Sequence, residues 1–209
     1  MNMESAWKII TATLCAAASY LIGGLNPAII LSRAIYRSDV RDSGSGNAGF
    51  SNFKRVYGGK FAWLVFVLDL GKGIALPLLS GLFFRLAGMD RIDGVWISGV
   101  FCIIGHAYPV WYRFKGGKSV LTCLALAFII DWRAGLVAFS LMALLLLTVK
   151  IMSVSTLSGL LAAAVLIWFL CPSIAARIAF SCCVIFVWIR HRGNIVRLMR
   201  GEERKFSIR

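Results

Sequence analysis

Charged residues, and acidic residues in particular, are scarce in this sequence of 209 residues. Asp and Glu number 9 against 23 Lys and Arg, charged residues make up 15% of the chain, and apolar residues make up 59%. Intrinsic disorder is excluded, because disordered chains are poor in apolar residues. A soluble domain is disfavoured, because such domains average about 45–50% apolar residues even with glycine counted. The composition favours an integral membrane protein with basic loops, and no nucleic-acid partner is expected.

The sequence also lacks the residue patterns of several common chemistries. It has no C-x-x-C and no H-E-x-x-H, and neither of its two histidines begins the H-x-x-x-x-D pattern of soluble-type lysophospholipid acyltransferases. The six cysteines lie in or beside apolar stretches, where a free cysteine behaves as a small apolar residue. We therefore expect no disulfide, no metal site and no cofactor.

The apolar residues fall into seven runs, at about 6–31, 61–84, 94–112, 118–132, 134–149, 153–170 and 174–189. A helix needs about 20 residues to cross about 30 Å of hydrocarbon, and most of the runs approach that length. The sequence therefore predicts an all-α integral membrane protein with seven transmembrane helices, forming one domain over residues 1–209. The fourth run is short, and we expect it to start below the membrane surface.

Basic residues are divided unequally between the two sets of loops. Seventeen Lys and Arg fall around the loops after the first, third and fifth runs and in the C-terminal tail, whereas five fall on the opposite side. Because short loops rich in Lys and Arg stay in the cytoplasm, the N-terminus is predicted outside and the C-terminus inside. All the loops with unusual sequence then lie on the cytoplasmic face.

The first of these loops reads D-S-G-S-G-N-A-G-F-S-N-F-K-R over residues 42–55. Closely spaced glycines let the backbone point several N–H groups one way, and such a nest binds anions. The candidate residues are Gly44, Ser45, Gly46, Asn47, Gly49, Ser51, Asn52 and Arg55. The apolar spacing that follows predicts a short interfacial helix ended by Gly58 and Gly59.

This loop has two other interpretations. It matches G-x-G-x-x-G, but a dinucleotide site needs a preceding strand within a βαβ unit, and the flanks here are apolar runs. A plain flexible turn is the structural alternative.

The second loop reads G-H-A-Y-P-V-W-Y-R-F-K-G-G-K-S-V over residues 105–120. Gly116, Gly117 and Lys118 open the short fourth run, and a Lys beside free helix N–H groups is unfavourable for the helix dipole. An anion is expected between them, with His106 as a further candidate ligand. A nucleotide-binding P-loop is disfavoured, because Tyr112 occupies the position of its first glycine and no strand precedes it.

The third segment reads H-R-G-N-I-V-R-L-M-R-G-E-E-R over residues 191–204. Its arginines, Arg204 among them, fit a juxtamembrane segment on anionic lipid headgroups. His191 and Asn194 fit a polar cleft better.

Further polar residues lie at or within the apolar runs. Ser153 and Ser155 begin the sixth run, where hydroxyl packing between membrane helices is the alternative to substrate binding. Asp69 and Lys72 are i, i+3 neighbours inside the second run, and charges at such depth face a protein interior and are commonly functional. A purely structural ion pair is the alternative, and the sequence leaves both open.

Together the three loops resemble the PlsY family, the bacterial acyl-phosphate:glycerol-3-phosphate acyltransferases. The family carries G-S-G-N-x-G-x-T-N-x-x-R, G-H-x-x-P-x-x-x-x-F-x-G-G-K-x-V and H-x-x-N-I-x-R-L-x-x-G-x-E, which residues 44–55, 105–120 and 191–203 match in the same order. Two positions differ, since Ser51 replaces the family's usual Thr and Ala48 its frequent Pro.

The resemblance implies transfer of a fatty acyl group from acyl phosphate to the 1-hydroxyl of sn-glycerol 3-phosphate, which gives lysophosphatidic acid. It also implies a cleft facing the cytoplasm of the bacterial inner membrane, contact with membrane lipids and no metal requirement. On this basis Ser45, Arg55 and Lys118 are expected to hold phosphate groups, while His191 and Asn194 orient glycerol 3-phosphate. The proton acceptor is left open between His191 and a substrate phosphate oxygen, and no oligomeric state is predicted.

Two other classes of protein fit the composition. A transporter or channel for an organic anion is compatible with seven spans and a basic mouth, but few central polar residues accompany Asp69 and Lys72. A scaffold that binds anionic lipid would not need the dense Gly/Ser/Asn pattern of the first loop.

Overall fold

The computed structural model describes residues 3–206, which form ten α-helices and no strand. The helices are α1 (Met3–Gly23), α2 (Pro27–Tyr36), α3 (Phe50–Tyr57), α4 (Ala62–Leu86), α5 (Arg91–Ala107), α6 (Val120–Ile130), α7 (Trp132–Thr148), α8 (Met152–Leu170), α9 (Ile174–Arg190) and α10 (Arg192–Met199). Single 3-10 turns cover Val40–Asp42 and Val110–Tyr112. The prediction of an all-α membrane fold is confirmed at this level.

Six of the seven predicted runs each coincide with one helix and the first covers both α1 and α2, but not all these helices are long. Four segments of the described chain are long and apolar enough to cross a membrane: Met3–Tyr36, Ala62–Leu86, Arg91–Tyr112 and Met152–Leu170. The pair α9 and α10, bent by 58°, would be a fifth. By length and composition residues 3–206 therefore contain four to five spans, and the apolar helices α6 and α7 are shorter.

The first predicted run, 6–31, is broken in the structure. Helix α1 ends at Gly23 and α2 begins at Pro27, because the Asn26 side chain accepts a hydrogen bond from the Ile29 N–H at 3.1 Å and caps the new helix. Proline at the first helical position suits such a start. Asn26 Nδ2 also donates to the Ala48 carbonyl oxygen at 3.0 Å, which ties this break to the first loop.

Two further boundaries differ from the sequence prediction. Helix α5 ends at Ala107 instead of continuing to residue 112, and Pro109 follows it. Helix α6 begins at Val120 instead of Lys118, because Ser119 has a left-handed backbone with φ of +63°. Lys118 therefore lies in the loop before α6.

Helix α5 lies at the centre of the bundle, in contact with α1, α4, α6 and α9. Its crossing with α1 is close because glycine is present on both sides. A Cβ on Gly23 would lie 2.8 Å from the Cys102 Cα, and a Cβ on Gly105 would overlap the Tyr20 carbonyl oxygen. Such small residues let membrane helices approach closely, and here they fix the end of α5 from which the second loop leaves.

Candidate active site

The three basic segments meet around one cavity of about 770 Å³. All but three of the site residues predicted from the sequence line it: Gly44, Ser45, Asn47, Gly49, Ser51, Asn52, Arg55, His106, Lys118, Ser153, Ser155, His191 and Asn194. Gly46 and Gly116 line a neighbouring cavity of about 600 Å³ instead, and Gly117 lines neither.

Asn52 shapes the first loop from within. Its side chain is 1% exposed, and its Oδ1 accepts a hydrogen bond from the Ser45 N–H at 2.7 Å. Its Nδ2 donates to the carbonyl oxygens of Val40 and Ser43 at 2.8 and 3.0 Å. Gly44, with φ of +67°, leaves room for Asn52 Oδ1 where a Cβ would overlap it. The loop is thereby fastened to α3, with Ser45 exposed beside the cavity.

Helix α3 places Arg55 at the cavity. This is the short helix predicted after the glycine-rich loop, and it ends at Gly58 as expected, where φ is +83° and the N–H donates to the Lys54 carbonyl oxygen at 2.9 Å. Arg55 lies in the last turn of α3 and remains exposed to solvent. Because solvent screens exposed charges, we expect Arg55 to contribute less than a buried cation would.

The second loop is held against the end of α5 by its backbone. The Gly116 N–H donates to the Ala107 carbonyl oxygen at 3.1 Å, and the Gly117 N–H donates to the His106 carbonyl oxygen at 3.0 Å. A Cβ on Gly117 would overlap the His106 ring, so the close approach requires glycine. Lys118 follows directly and lines the cavity.

Glu203 joins the second and third segments into one network. Its Oε1 accepts hydrogen bonds from Ser153 Oγ at 3.0 Å and Asn194 Nδ2 at 2.5 Å, and its Oε2 accepts one from Arg197 Nε at 2.7 Å. Asn194 Oδ1 in turn accepts a hydrogen bond from the Lys118 ammonium. Side chains from the loop before α6, from α8, from α10 and from the tail are therefore oriented together.

The charge states within this network follow from burial and from these contacts. Burial alone would raise the pKa of the Glu203 carboxyl, but the hydrogen bonds it accepts outweigh burial and hold its pKa below the ordinary value. Burial lowers the pKa of the Lys118 ammonium to about 8, an effect that Glu203 opposes and Arg197 reinforces. At neutral pH Glu203 is ionised and Lys118 is mostly protonated.

His191 lies at the junction of α9 and α10 and is 4% exposed. Its Nδ1 is 2.8 Å from the Val187 carbonyl oxygen. Because a carbonyl oxygen only accepts hydrogen bonds, Nδ1 carries the proton, and in the neutral ring Nε2 carries the lone pair. His191 can therefore accept a proton at Nε2.

The two serines of α8 have different partners. Ser153 donates to Glu203, as described, whereas Ser155 Oγ donates to the Ile151 carbonyl oxygen at 2.9 Å within its own helix. Both side chains are at most 2% exposed. Ser153 thus belongs to the polar network, and Ser155 satisfies its hydroxyl locally.

Apolar side chains form the remaining wall of the cavity. Those of α6 and α7 are Val120, Leu121, Leu124, Phe139, Met142, Ala143, Leu146 and Leu147. Phe139 and Leu147 are 47% and 62% exposed on the outside of the bundle. The apolar wall is therefore continuous with the surface that faces lipid.

Two residues of the cavity, Glu203 and Arg204, were not predicted from the sequence as site residues. Glu203 is the last residue of the third motif. The feature of the sequence that could have indicated its role is a carboxylate in a tail rich in cations. Arg204, predicted to contact headgroups, is exposed and also lines the cavity. The reason is that the tail folds back, with the Phe206 N–H donating to the Lys150 carbonyl oxygen at 2.6 Å.

The cavity can bind the phosphate group of a ligand through several hydrogen-bond donors, while an acyl chain of that ligand lies against α6 and α7. It can also supply a base at His191 Nε2. Within residues 3–206, no three His, Cys, Asp or Glu side chains are grouped so that they could hold a metal ion.

Fold and cavity together define an integral membrane protein with a cationic, amide-rich pocket at the end of an apolar groove. A family model described as glycerol-3-phosphate acyltransferase matches residues 13–201. The chain belongs to this family, and the resemblance found in its three loops is confirmed.

Individual relatives agree with this assignment. A glycerol-3-phosphate acyltransferase of Rhodospirillum rubrum is 36% identical over 217 residues, which cover 100% of this chain and 97% of the relative. Among solved structures, the integral membrane glycerol 3-phosphate acyltransferase PlsY in its glycerol 3-phosphate form has a TM-score of 0.87 at 28% identity, covering 94% of this chain and 96% of that one. The lysophosphatidic acid form of PlsY has a TM-score of 0.82 at 27% identity, covering 94% and 95%.

Proposed function

We propose that this acyltransferase moves a fatty acyl group from acyl phosphate to the 1-hydroxyl of sn-glycerol 3-phosphate. The products are lysophosphatidic acid and inorganic phosphate, and the reaction is the first step of phospholipid biosynthesis. Acylation of glycerol 3-phosphate follows from family membership. The observation that carries the choice of donor is the cavity, which joins a rim of cations and amides to an apolar wall. An acyl phosphate matches both parts, because it carries a phosphate group and a lipid tail.

The reaction needs little covalent chemistry from the protein. The 1-hydroxyl oxygen attacks the acyl carbonyl carbon, the bond from that carbon to the phosphate oxygen breaks, and phosphate leaves with the bonding electrons. Acyl phosphate is a mixed anhydride and is already activated, so a protein nucleophile is not required. Orientation of the two substrates and donors aimed at the oxyanion and the leaving phosphate then account for catalysis.

In this proposal the first and second loops hold phosphate. Ser45 and Arg55 contribute from either side of the glycine-rich turn, and Lys118 contributes a half-buried charge. Asn47 and Ser51 complete the lining of the turn. The support is that all five residues line one cavity, where charge-assisted hydrogen bonds are about twice as strong as neutral ones.

The third segment, together with Ser153 of α8, orients glycerol 3-phosphate. Asn194 and Ser153 share the Glu203 carboxylate, which fixes both side chains before substrate arrives. His191 Nε2 and a phosphate oxygen of the substrate remain the two candidate proton acceptors. His191→Gln tests the first, since loss of a general base costs about 10²–10⁴-fold; a smaller loss would leave the phosphate oxygen as the acceptor.

We also propose that the chain crosses a bacterial inner membrane seven times, with its N-terminus outside and the cavity open to the cytoplasm. The agreement of the seven apolar runs with α1–α2, α4, α5, α6, α7, α8 and α9 supports the count. The excess of Lys and Arg on one side supports the orientation.

Purified protein in proteoliposomes tests the reaction. With acyl phosphate and labelled glycerol 3-phosphate, and with EDTA present, we expect labelled lysophosphatidic acid and one phosphate released per product. Activity that requires acyl-CoA or an acyl-carrier-protein thioester would contradict the donor, and activity restored only by Mg²⁺ would contradict a metal-free reaction. Uptake of labelled glycerol 3-phosphate without product would instead indicate a transporter.

A further inference from the structure

Asp69, Lys72 and His106 form a charged cluster beneath the loops that the reaction outlined above does not use. Asp69 Oδ1 lies 2.9 Å from Lys72 Nζ and 3.2 Å from His106 Nδ1. The three side chains are 3%, 9% and 5% exposed. Asp69 and Lys72 belong to α4 and His106 to α5, both of which are membrane spans. Ionisable residues are costly there, and a buried ion pair adds little net stability, so stability alone is a weak reason for this cluster.

One end of the cluster reaches the first loop. Lys72 Nζ donates to the Leu25 carbonyl oxygen at 2.9 Å, at the break between α1 and α2. The next residue, Asn26, holds the Ala48 carbonyl oxygen of the first loop at 3.0 Å. Lys72 thus secures the point from which Asn26 holds that loop.

The other end reaches the second loop. The His106 carbonyl oxygen accepts the Gly117 N–H at 3.0 Å, and the His106 ring lies directly against Gly117, where a Cβ would overlap Nε2. The ring is therefore held between Asp69 at its Nδ1 edge and Gly117 at its Nε2 edge. Lys118 is the next residue, so the placement of the ring sets where the ammonium enters the cavity.

We propose that the Asp69–Lys72–His106 cluster positions both phosphate-binding loops, and that Asp69 acts through the His106 ring and Gly117 to place Lys118. Asp69 and Lys72 are positioning residues in this proposal, and it rests on the proposed function. A misplacement of about 1 Å at a reacting group can cost about 10²-fold in rate, so small movements of the ring are sufficient.

If the Asp69–Lys72 pair is purely structural, a different result is expected. Substitution of both residues distinguishes a structural role from a positioning role. Asp69→Asn or Lys72→Met alone leaves one unpaired buried charge, so each should lower the thermal midpoint. Asp69→Asn with Lys72→Met removes both charges and should restore the midpoint, because neutral replacement of a buried pair is tolerated. We expect kcat/KM of the double variant to stay about tenfold to a hundredfold below the parent chain. Recovery of both the midpoint and kcat/KM would overturn the proposal.

Should the double variant fail to fold, His106→Phe decides the question. It keeps a ring against Gly117, leaves Asp69 paired with Lys72 and removes the contact at Nδ1. We expect a loss of at least about tenfold in kcat/KM with little change in midpoint. Activity equal to that of the parent chain would overturn the proposal.

The route through Lys118 has its own test. In a Lys118→Ala background, His106→Phe should cost less than about threefold more, because residues that act through one another are not additive. If kcat/KM instead fell by the same factor as in the parent chain, the cluster would act by a route other than Lys118.

The matched control is the exposed i, i+4 pair Glu4–Lys8 on α1, changed to Gln and Met, which should leave activity and midpoint unchanged. Absence of acyltransferase activity in the parent chain would contradict the proposed function, whereas an active parent with fully active cluster variants would contradict only this inference.

Discussion

Lys118→Ala is the most direct test of the cavity as a phosphate site. The ammonium donates to Asn194 within the network around Glu203, and burial makes its charge costly unless an anion is bound nearby. Hydrogen bonds to charged groups contribute about 1.5–3 kcal/mol, and about 1.4 kcal/mol corresponds to a tenfold change in rate. At the upper end of that range we expect kcat/KM to fall about a hundredfold or more.

The control for this substitution is Lys60→Ala. Lys60 is an exposed cation that does not line the cavity, and its removal should cost less than about threefold, or about 0.7 kcal/mol. Arg204 is unsuitable as a control because it lines the cavity. Steady-state kinetics in both substrates, on variants with unchanged thermal midpoints, make the comparison. Equal and mild effects of both substitutions would refute the phosphate site and leave the cations as membrane anchors.

The pH dependence of the parent chain gives an independent check on the same residue. The pKa of Lys118 is lowered to about 8, so a rise in pH through this value removes its charge, and kcat/KM should fall above about pH 8. Bound phosphate stabilises the protonated form, so kcat should fall at a higher pH than kcat/KM. Lys118→Arg keeps its charge throughout this range, and its activity, although lower, should lack that fall. An identical alkaline limb in the Arg variant would assign the titration to another group.

The remaining predictions concern the rim, the network and the topology. Arg55→Ala should lower kcat/KM by at least about tenfold but by less than Lys118→Ala, and Arg55→Lys should recover little because the planar fork is lost; recovery by Lys would contradict bidentate binding. Glu203→Gln places an NH₂ group where a carboxylate now accepts hydrogen bonds from three side chains, so both the thermal midpoint and kcat/KM should fall, the latter about tenfold or more. Single cysteines at Asn2 and Ser207, positions outside the described residues, should react with an impermeant reagent from opposite sides in a Cys-free chain; reaction of both from one side would contradict seven crossings.

The sequence was sufficient to predict the class of protein and the position of its functional segments. Apolar runs are a property of the chain read in one dimension, and they located the helices to within a few residues, apart from the break within 6–31. The short helix α3 and its end at Gly58 were predictable for the same reason, since a glycine stop and apolar spacing act over one or two turns. The three motif loops lay in order along the chain and could be recognised without knowledge of how they pack.

Contacts between segments far apart in the sequence were determined only by the tertiary structure. Glu203 gains its role because the tail folds back onto α8 and α10, and the opposing effects of burial and three donors on its charge exist only in that arrangement. The break at Asn26 depends on a partner in the first loop, and the apolar run 6–31 did not indicate that break. Asp69 and Lys72 were visible as intramembrane charges, but His106 as their third member and Gly117 as its neighbour were not. Hydrogen bonds and charge pairs depend on distances of a few ångströms, and such distances between residues far apart in sequence are fixed by helix packing.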